Sequence, residues 1–120
     1  MFTIVGESGV TLDFAGIARD VAPLEPLAFP GEHAPGCRIT SATEAFNVMV
    51  DRESVTAAVA EVEVVESATL PNSAAVFIAR GSGVLDGISA EQGDCLLTTP
   101  APRTFHGTAR LLLVELTPTT

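Results

Sequence analysis

The sequence contains no lysine, tryptophan or tyrosine, and it has only two histidines and two cysteines in 120 residues. Without lysine, the chain has neither Schiff-base chemistry nor the lysine of a phosphate-binding loop. His33 and His106 are far apart in the sequence, so the paired ligands typical of metal sites are missing. A zinc site that combined them with Cys37 and Cys95 would lack the short paired spacings of structural zinc sites.

Basic residues are also scarce. Fifteen acidic residues stand against six arginines, which gives a formal net charge of −9. Because neutralisation of phosphates drives most nucleic-acid affinity, the sequence predicts binding neither to nucleic acid nor to an anionic membrane. Arginine can hold a carboxylate through two parallel hydrogen bonds, so capture of a small acid remains possible.

Long apolar runs are absent as well. No run approaches the roughly 20 residues that a membrane-spanning helix needs, and the N-terminus lacks the basic and apolar segments of a secretory signal. We therefore expect a cytoplasmic protein in which Cys37 and Cys95 are reduced and buried. A chain of this length fits one domain that buries roughly two-thirds of its unfolded surface.

Short apolar runs separated by turn residues dominate what remains, and they predict an all-β fold. Many short strands at close spacing are typical of a sandwich or a barrel. In the run "RLLLVEL", no polar residue alternates with the apolar residues before the glutamate, which predicts a strand buried on both faces. The predicted strands are residues 10–14, 26–32, 37–40, 46–50, 74–80, 94–98 and 110–116.

The segment 54–68, "SVTAAVAEVEVVESA", fits two structures. Its apolar residues follow a helical stripe and its alanines favour a helix, whereas its valines favour a strand. We predict a strand, since the other elements leave little room for a mixed architecture.

Two stretches of the chain resemble each other. "FTIVGESGVTLDF" at the start and "VFIARGSGVLDGI" from Val76 both read as a strand, a Gly-Ser turn and a second strand. We interpret "GESG" and "RGSG" as hairpin turns. A second apolar segment follows an acidic turn in each case, which suggests a duplicated β unit.

Residues 44–54, "EAFNVMVDRES", suggest a ligand site. Strand alternation places Phe46 and Val48 on one face and Asn47 and Met49 on the other. The mixed face suits either a solvated sheet or the wall of a wet cavity, and the pattern alone leaves both open.

Further candidates lie near predicted strand ends. His106 follows an aromatic residue and a Pro-rich bend, where it could hydrogen-bond a ligand at a barrel mouth or lie on an exposed loop. Arg52, Arg80 and Arg103 could each hold an acid, although an ion pair at the surface is the alternative for any of them.

The Gly-Asp turn, apolar strand and Pro-rich bend of residues 91–107 resemble the second half of a cupin motif, without the His-x-His of the first half. More of the chain, "LDFAG…PLEPLAFPGEHAPGCRI…TEAFNVMVDR", resembles the HutD/Ves family, bacterial double-cupin proteins associated with histidine utilisation. A Phe-Asn-Leu/Val-Met element followed by Arg is a hallmark of that family. Here it is matched by Phe46, Asn47, Val48, Met49 and Arg52.

The resemblance implies a cupin-like β-barrel or sandwich of the jelly-roll type. Residues 1–40 would be the remnant of a first cupin unit, packed as one globular domain with a second unit in residues 41–120. The family's Trp-Lys-Asn-Gly-Gly-Gly-like segment has no counterpart here, and "SATEA" at 41–45 replaces its Gly-Pro-Thr-Arg-Asp. If the missing segment leaves a sheet edge open, we expect a homodimer to cover it.

The resemblance also implies a non-enzymatic protein, without metal or other cofactor, that binds a small carboxylate metabolite and modulates histidine utilisation. The residues expected to contact the ligand are Asn47, Met49, Arg52 and His106. One alternative is a metal-dependent cupin isomerase or dioxygenase that uses His33 or His106 with acidic ligands. Another is a vestigial half-protein that binds a partner through its exposed sheet edge.

Overall fold

The computed structural model of the chain describes residues 1–99 and 101–119. In those residues the chain forms eleven strands and one short 3-10 helix, with no α-helix, which confirms the predicted all-β class. No helix in these ranges has the length and apolar character needed to cross a membrane. The chain divides into two compact units, residues 1–49 and residues from 50 onward. Their origin as two cupin halves, predicted with a boundary at residues 40 and 41, stays a prediction.

The first unit contains a two-stranded and a three-stranded antiparallel sheet. Buried apolar side chains on these strands and on the following loop, led by Ile4, Leu12 and Val21, form its core. The pairs are β1 with β5, and β2 with both β3 and β4. The elements are β1 (Phe2–Ile4), β2 (Val10–Phe14), β3 (Ile17–Val21), the 3-10 helix (Gly31–His33), β4 (Gly36–Arg38) and β5 (Ala45–Asn47).

The second unit is a six-stranded antiparallel sheet built on one long strand, β11. Along β11 lie β8 on one side and β6 on the other, with β7 beside its first residues. The strands β9 and β10 pair with opposite ends of β8. The elements are β6 (Val55–Val64), β7 (Ser67–Leu70), β8 (Ala75–Leu85), β9 (Ile88–Glu91), β10 (Cys95–Leu97) and β11 (Arg103–Pro118).

The central strand is buried on both faces, as the sequence predicts. Residues 111–114 are all at most 5% exposed. Leu111 and Leu113 point into a core cluster that also contains Ile78 and Phe105. Leu112 and Val114, which alternate with them, are buried too, so the absence of polar alternates in "RLLLVEL" reflects burial on both faces.

The segment 54–68 forms strands rather than a helix. Most of it is β6, whose ten residues pair continuously with β11 from Val55 to Val64. The chain then bends at Val65 and Glu66 and enters β7. The segment is therefore a strand, as its valines predict, because it pairs along its length with the long strand β11.

Two predicted strands need correction. Residues 26–32 form no strand: Leu27 makes an isolated bridge with Phe2, and Gly31–His33 is a 3-10 helix. Proline has no N–H to donate to a ladder, and this segment contains two of them. The strand predicted at 46–50 ends at Asn47, which is opposite the first residue of β1, so strand alternation does not extend to Met49.

The Gly-Ser stretches are not hairpin turns, so that prediction was wrong. "RGSG" lies inside β8, where Gly81 has a φ of 81° beside a register shift in the pairing with β11. "GESG" joins β1 to β2, which pair with other strands. The hairpin turns are Ala15-Gly16 and Asp86-Gly87, each with positive φ at both residues, as the tight turns of hairpins require. Each unit contains one such hairpin, while duplication itself stays a prediction.

Both cysteines are free, but both are exposed, so the prediction of buried thiols was wrong. Cys37 lies on β4 and Cys95 on β10, and each of these strands is at the edge of its sheet. The surroundings of Cys95 desolvate its sulfur enough to raise the pKa of the thiol above its ordinary value.

Candidate functional site

The predicted ligand residues Asn47 and Met49 belong to the first unit. Asn47 is the last residue of β5 and is exposed. Met49 follows the strand with 87% of its surface exposed. The side chains before each of them, Phe46 and Val48, are half-buried. Both ligand candidates are therefore open to a solute, while the residues predicted to pack do so in part.

Arg52 lies near the start of the second unit, in a turn that the local sequence explains. The carboxylate of Asp51 accepts hydrogen bonds from the Glu53 amide at 3.0 Å and from the Ser54 hydroxyl at 3.4 Å. An aspartate that bonds its own backbone two residues on is typical of such turns. The turn holds Arg52 exposed just before β6 begins.

His106 lies on a strand, and its imidazole is exposed. It is opposite Val84 of β8 and Ser67 of β7 in the two ladders of β11. Residues directly opposite in a sheet share a face. The adjacent residue Phe105 points the other way and is completely buried, so the strand fixes the outward direction of His106.

A shallow cleft of about 490 Å³ lies on the hairpin next to His106. Ser82 is opposite both Thr108 of β11 and Glu91 of β9, and Val84 is opposite both His106 and Ser89. These cross-strand rows place Ser82 and Thr108 on the same face of the sheet as His106. The residues that line the cleft are Ser82, Gly83, Val84, Ser89, Ala90, Glu91 and Asp94.

The charges of the cleft are negative. Glu91 and Asp94 both line it, and the Asp94 carboxylate accepts a hydrogen bond from the Glu91 amide at 2.9 Å. Two carboxylates repel an anion, whereas hydroxyls and carboxylates together suit hydroxyl or amine groups. The cleft itself is therefore a poor place for a carboxylate ligand.

Sequence reasoning singled out His106 but missed the cleft beside it. The available signal was the alternation of small polar residues, Ser82 before Val84 and Ser89 before Glu91, on the two sides of "LDG". Those residues become neighbours only through the register of β8 with β9. The predicted turn at "RGSG" ends the strand before Ser82, so it excludes that register.

Several arginines form hydrogen bonds or ion pairs with nearby groups. Arg103 pairs with Asp86 and also donates to the carbonyl and hydroxyl oxygens of Thr99, so its ion-paired interpretation is the correct one. Arg80 donates to the carbonyl of the preceding residue at 2.7 Å. Arg19 pairs with Glu25, and Arg110 pairs with Glu61 and Glu63.

Metal ligands are not grouped in the described part of the chain. Among residues 1–99 and 101–119, no three histidine, cysteine, aspartate or glutamate side chains lie where they could share a metal ion. His33 is in the 3-10 helix of the first unit and His106 is on β11 of the second.

Comparison with known proteins decides the family. The model of the HutD family matches residues 1–113, nearly the whole chain. The chain belongs to the HutD family. The match includes the Phe-Asn-Val-Met element and Arg52, on which the resemblance in the sequence depends. Comparison with curated proteins gives no match.

Two solved structures support the same fold. HutD from Pseudomonas fluorescens SBW25, in a structure described as "Formate condition", is 23% identical with a TM-score of 0.73. The alignment covers 99% of this chain and 67% of that protein. A conserved protein of unknown function from Pseudomonas aeruginosa PAO1, PA5104, is 16% identical with a TM-score of 0.70, over 98% of this chain and 70% of that one. At these identities the likeness establishes the cupin-like β fold of the HutD proteins.

Proposed function

We propose that this HutD-family protein binds a small carboxylate metabolite and, through that binding, modulates histidine utilisation. The observation that carries the proposal is the family match over residues 1–113. The structure of the Pseudomonas fluorescens HutD is described by a formate condition, and formate is the smallest carboxylate. Formate is therefore the first carboxylate to test with this chain.

Arg52 supplies the positive charge in the proposal. In a protein of net charge −9, an anion needs a local cation to hold it. A guanidinium presents paired N–H groups that match the two oxygens of a carboxylate. The turn at Asp51 leaves Arg52 exposed, so a dissolved acid has access to it.

Asn47, Met49 and His106 are proposed as further ligand contacts, each to be tested by its own substitution. An amide both donates and accepts hydrogen bonds, a thioether contacts apolar parts of a metabolite, and an imidazole offers ring nitrogens for hydrogen bonding. All three side chains are exposed.

The protein acts without catalysis in this proposal and works in the bacterial cytoplasm. Free cysteines, of which the chain has two, are typical of reducing compartments. Both structural relatives are from Pseudomonas. In the described residues, no cluster of possible metal ligands supports the alternative of a metal-dependent enzyme.

A thermal-shift screen with formate, urocanate, formylglutamate and histidine tests the proposal. A ligand present at 100 times its dissociation constant stabilises a protein by about 2.7 kcal/mol, which raises the melting temperature measurably. Sodium chloride at the same ionic strength controls for screening of the acidic surface. We expect at least one acid to exceed the salt control, and no shift with any of the four would contradict the proposal.

A further inference from the structure

In the part of the chain that the structure describes, no strand pairs with the outer edge of β6. This strand is the last in the order β10-β8-β11-β6, and in the described residues its only ladder is the one with β11. It is also long, with ten residues from Val55 to Val64. An unpaired strand edge presents a row of N–H and C=O groups that can pair with another chain.

The hydrogen bonds at the start of β6 show which residues face outward. The Thr119 amide donates to the Ser54 carbonyl at 3.1 Å, so this opposed pair is bonded. The next pair, Val55 with Pro118, is not, because proline has no N–H and the Val55 amide donates to Asp51 instead. Since bonded pairs alternate in an antiparallel ladder, the odd-numbered residues of β6 direct their backbone groups away from β11. These residues are Val55, Ala57, Val59, Glu61 and Glu63.

The edge carries few of the features that protect edge strands. Lysine, proline and bulges usually prevent pairing with other chains. "VTAAVAEVEV" contains no proline or lysine, and its register with β11 runs without a shift along all ten residues. Its only charges are Glu61 and Glu63, both near the same end.

Those two glutamates are turned toward a cation of the same sheet. Arg110 of β11 is opposite Glu63, and it lies 3.2 Å from Glu61 and 4.0 Å from Glu63. An ion pair partly neutralises the acids that would otherwise repel an approaching strand. The acidic end of the edge therefore repels an approaching strand less than its sequence suggests.

We propose that the β6 edge is an interface with a second copy of this chain, in which the two β6 strands pair antiparallel about Val59. This register sets Val59 against its own copy, Ala57 against Glu61, and Val55 against Glu63. It is the antiparallel register that pairs all five outward-directed residues, from Val55 to Glu63, with one another. The inference is independent of carboxylate binding and gives the expected homodimer a definite surface.

The charge pattern selects a second copy in this orientation. Because both acids lie near the same end of β6, an antiparallel neighbour places each of them opposite an apolar residue of its partner. A parallel neighbour would place the acids of the two copies side by side. The net charge of −9 on each copy opposes association, so added salt should strengthen the dimer.

Hydrogen exchange measured by nuclear magnetic resonance in dilute and concentrated samples tests the interface in the unaltered chain. We expect the amides of Ala57, Val59 and Glu61 to exchange more slowly as concentration rises. The amides of Ala58 and Ala60, which donate to β11, provide internal controls that are protected at both concentrations. A chain that stays monomeric at the highest attainable concentration, or odd-numbered amides that gain no protection as dimer forms, would overturn the proposal.

Two variants that place opposite charges at the same residue, Ala57, test the register. Ala57→Glu places an acid opposite Glu61 of the partner, whereas Ala57→Lys places a base there. We expect sedimentation equilibrium to show a weaker dimer for A57E than for A57K, by tenfold or more. The same two substitutions at Ala18, which is exposed on β3, control for the change in net charge. Equal dimerisation by A57E and A57K, or an equal difference in the Ala18 pair, would refute the proposed register.

Discussion

The backbone of Gly83 lies directly against the ring of Phe105. A methyl group built on Gly83 would come within 2.5 Å of the ring's Cζ atom, and it would also collide with the carbonyl oxygen of His106. Phe105 is completely buried in the core of the second unit. Because Gly83 has no side chain, the Phe105 ring can fill the core beside β8. His106, the next residue on β11, lies on the opposite face of the sheet.

We expect Gly83→Ala to lower the free energy of unfolding by about 1–3 kcal/mol, because the added methyl overpacks a filled space. Urea unfolding followed by circular dichroism measures the change, since the chain has no tryptophan to report it. Gly36→Ala on β4 is the matched control, because its nearest neighbour would be 3.8 Å away. A loss of similar size in both variants would contradict the packing explanation.

The turn between β2 and β3 contains a residue that is poorly suited to its conformation. Ala15 has a φ of 53°, a left-handed value that costs a residue with a Cβ atom about 1–2 kcal/mol. Asparagine tolerates this conformation and commonly precedes glycine in such turns. We therefore expect Ala15→Asn to raise the melting temperature. An unchanged or lower value in differential scanning calorimetry would show that the strain is relieved elsewhere.

Much of the fold follows from residue patterns. "VTLDF" alternates, the valines from residue 55 favour strand, and "RLLLVEL" has the continuous apolar character of a strand buried on both faces. Each of these features is local, and the structure forms a strand at each one. The turn residues were harder to interpret, because a glycine with positive φ occurs both in hairpin turns and in bulges. Only the partner strand distinguishes Gly81 in β8 from Gly87 in its turn.

The candidate site was less accessible to such reasoning, for a physical reason. Met49 was assigned to a strand face by alternation, but β5 ends two residues earlier, where β1 ceases to be opposite it. Ser82 and Glu91 meet only through hairpin register. Both outcomes depend on pairing between strands, which a single segment of sequence does not encode. The residues of the family hallmark were identified through resemblance.

Calorimetric titration with formate tests whether Arg52 holds the carboxylate of the ligand. Hydrogen bonds to charged groups contribute about 1.5–3 kcal/mol, so Arg52→Ala should weaken binding by tenfold or more. Arg19→Ala is the matched control for the loss of one positive charge, because Arg19 is also an exposed arginine. We expect the unaltered chain and R19A to bind formate alike, and R52A to bind it tenfold or more weakly. Formate binding by R52A equal to that of the unaltered chain would contradict this role of Arg52.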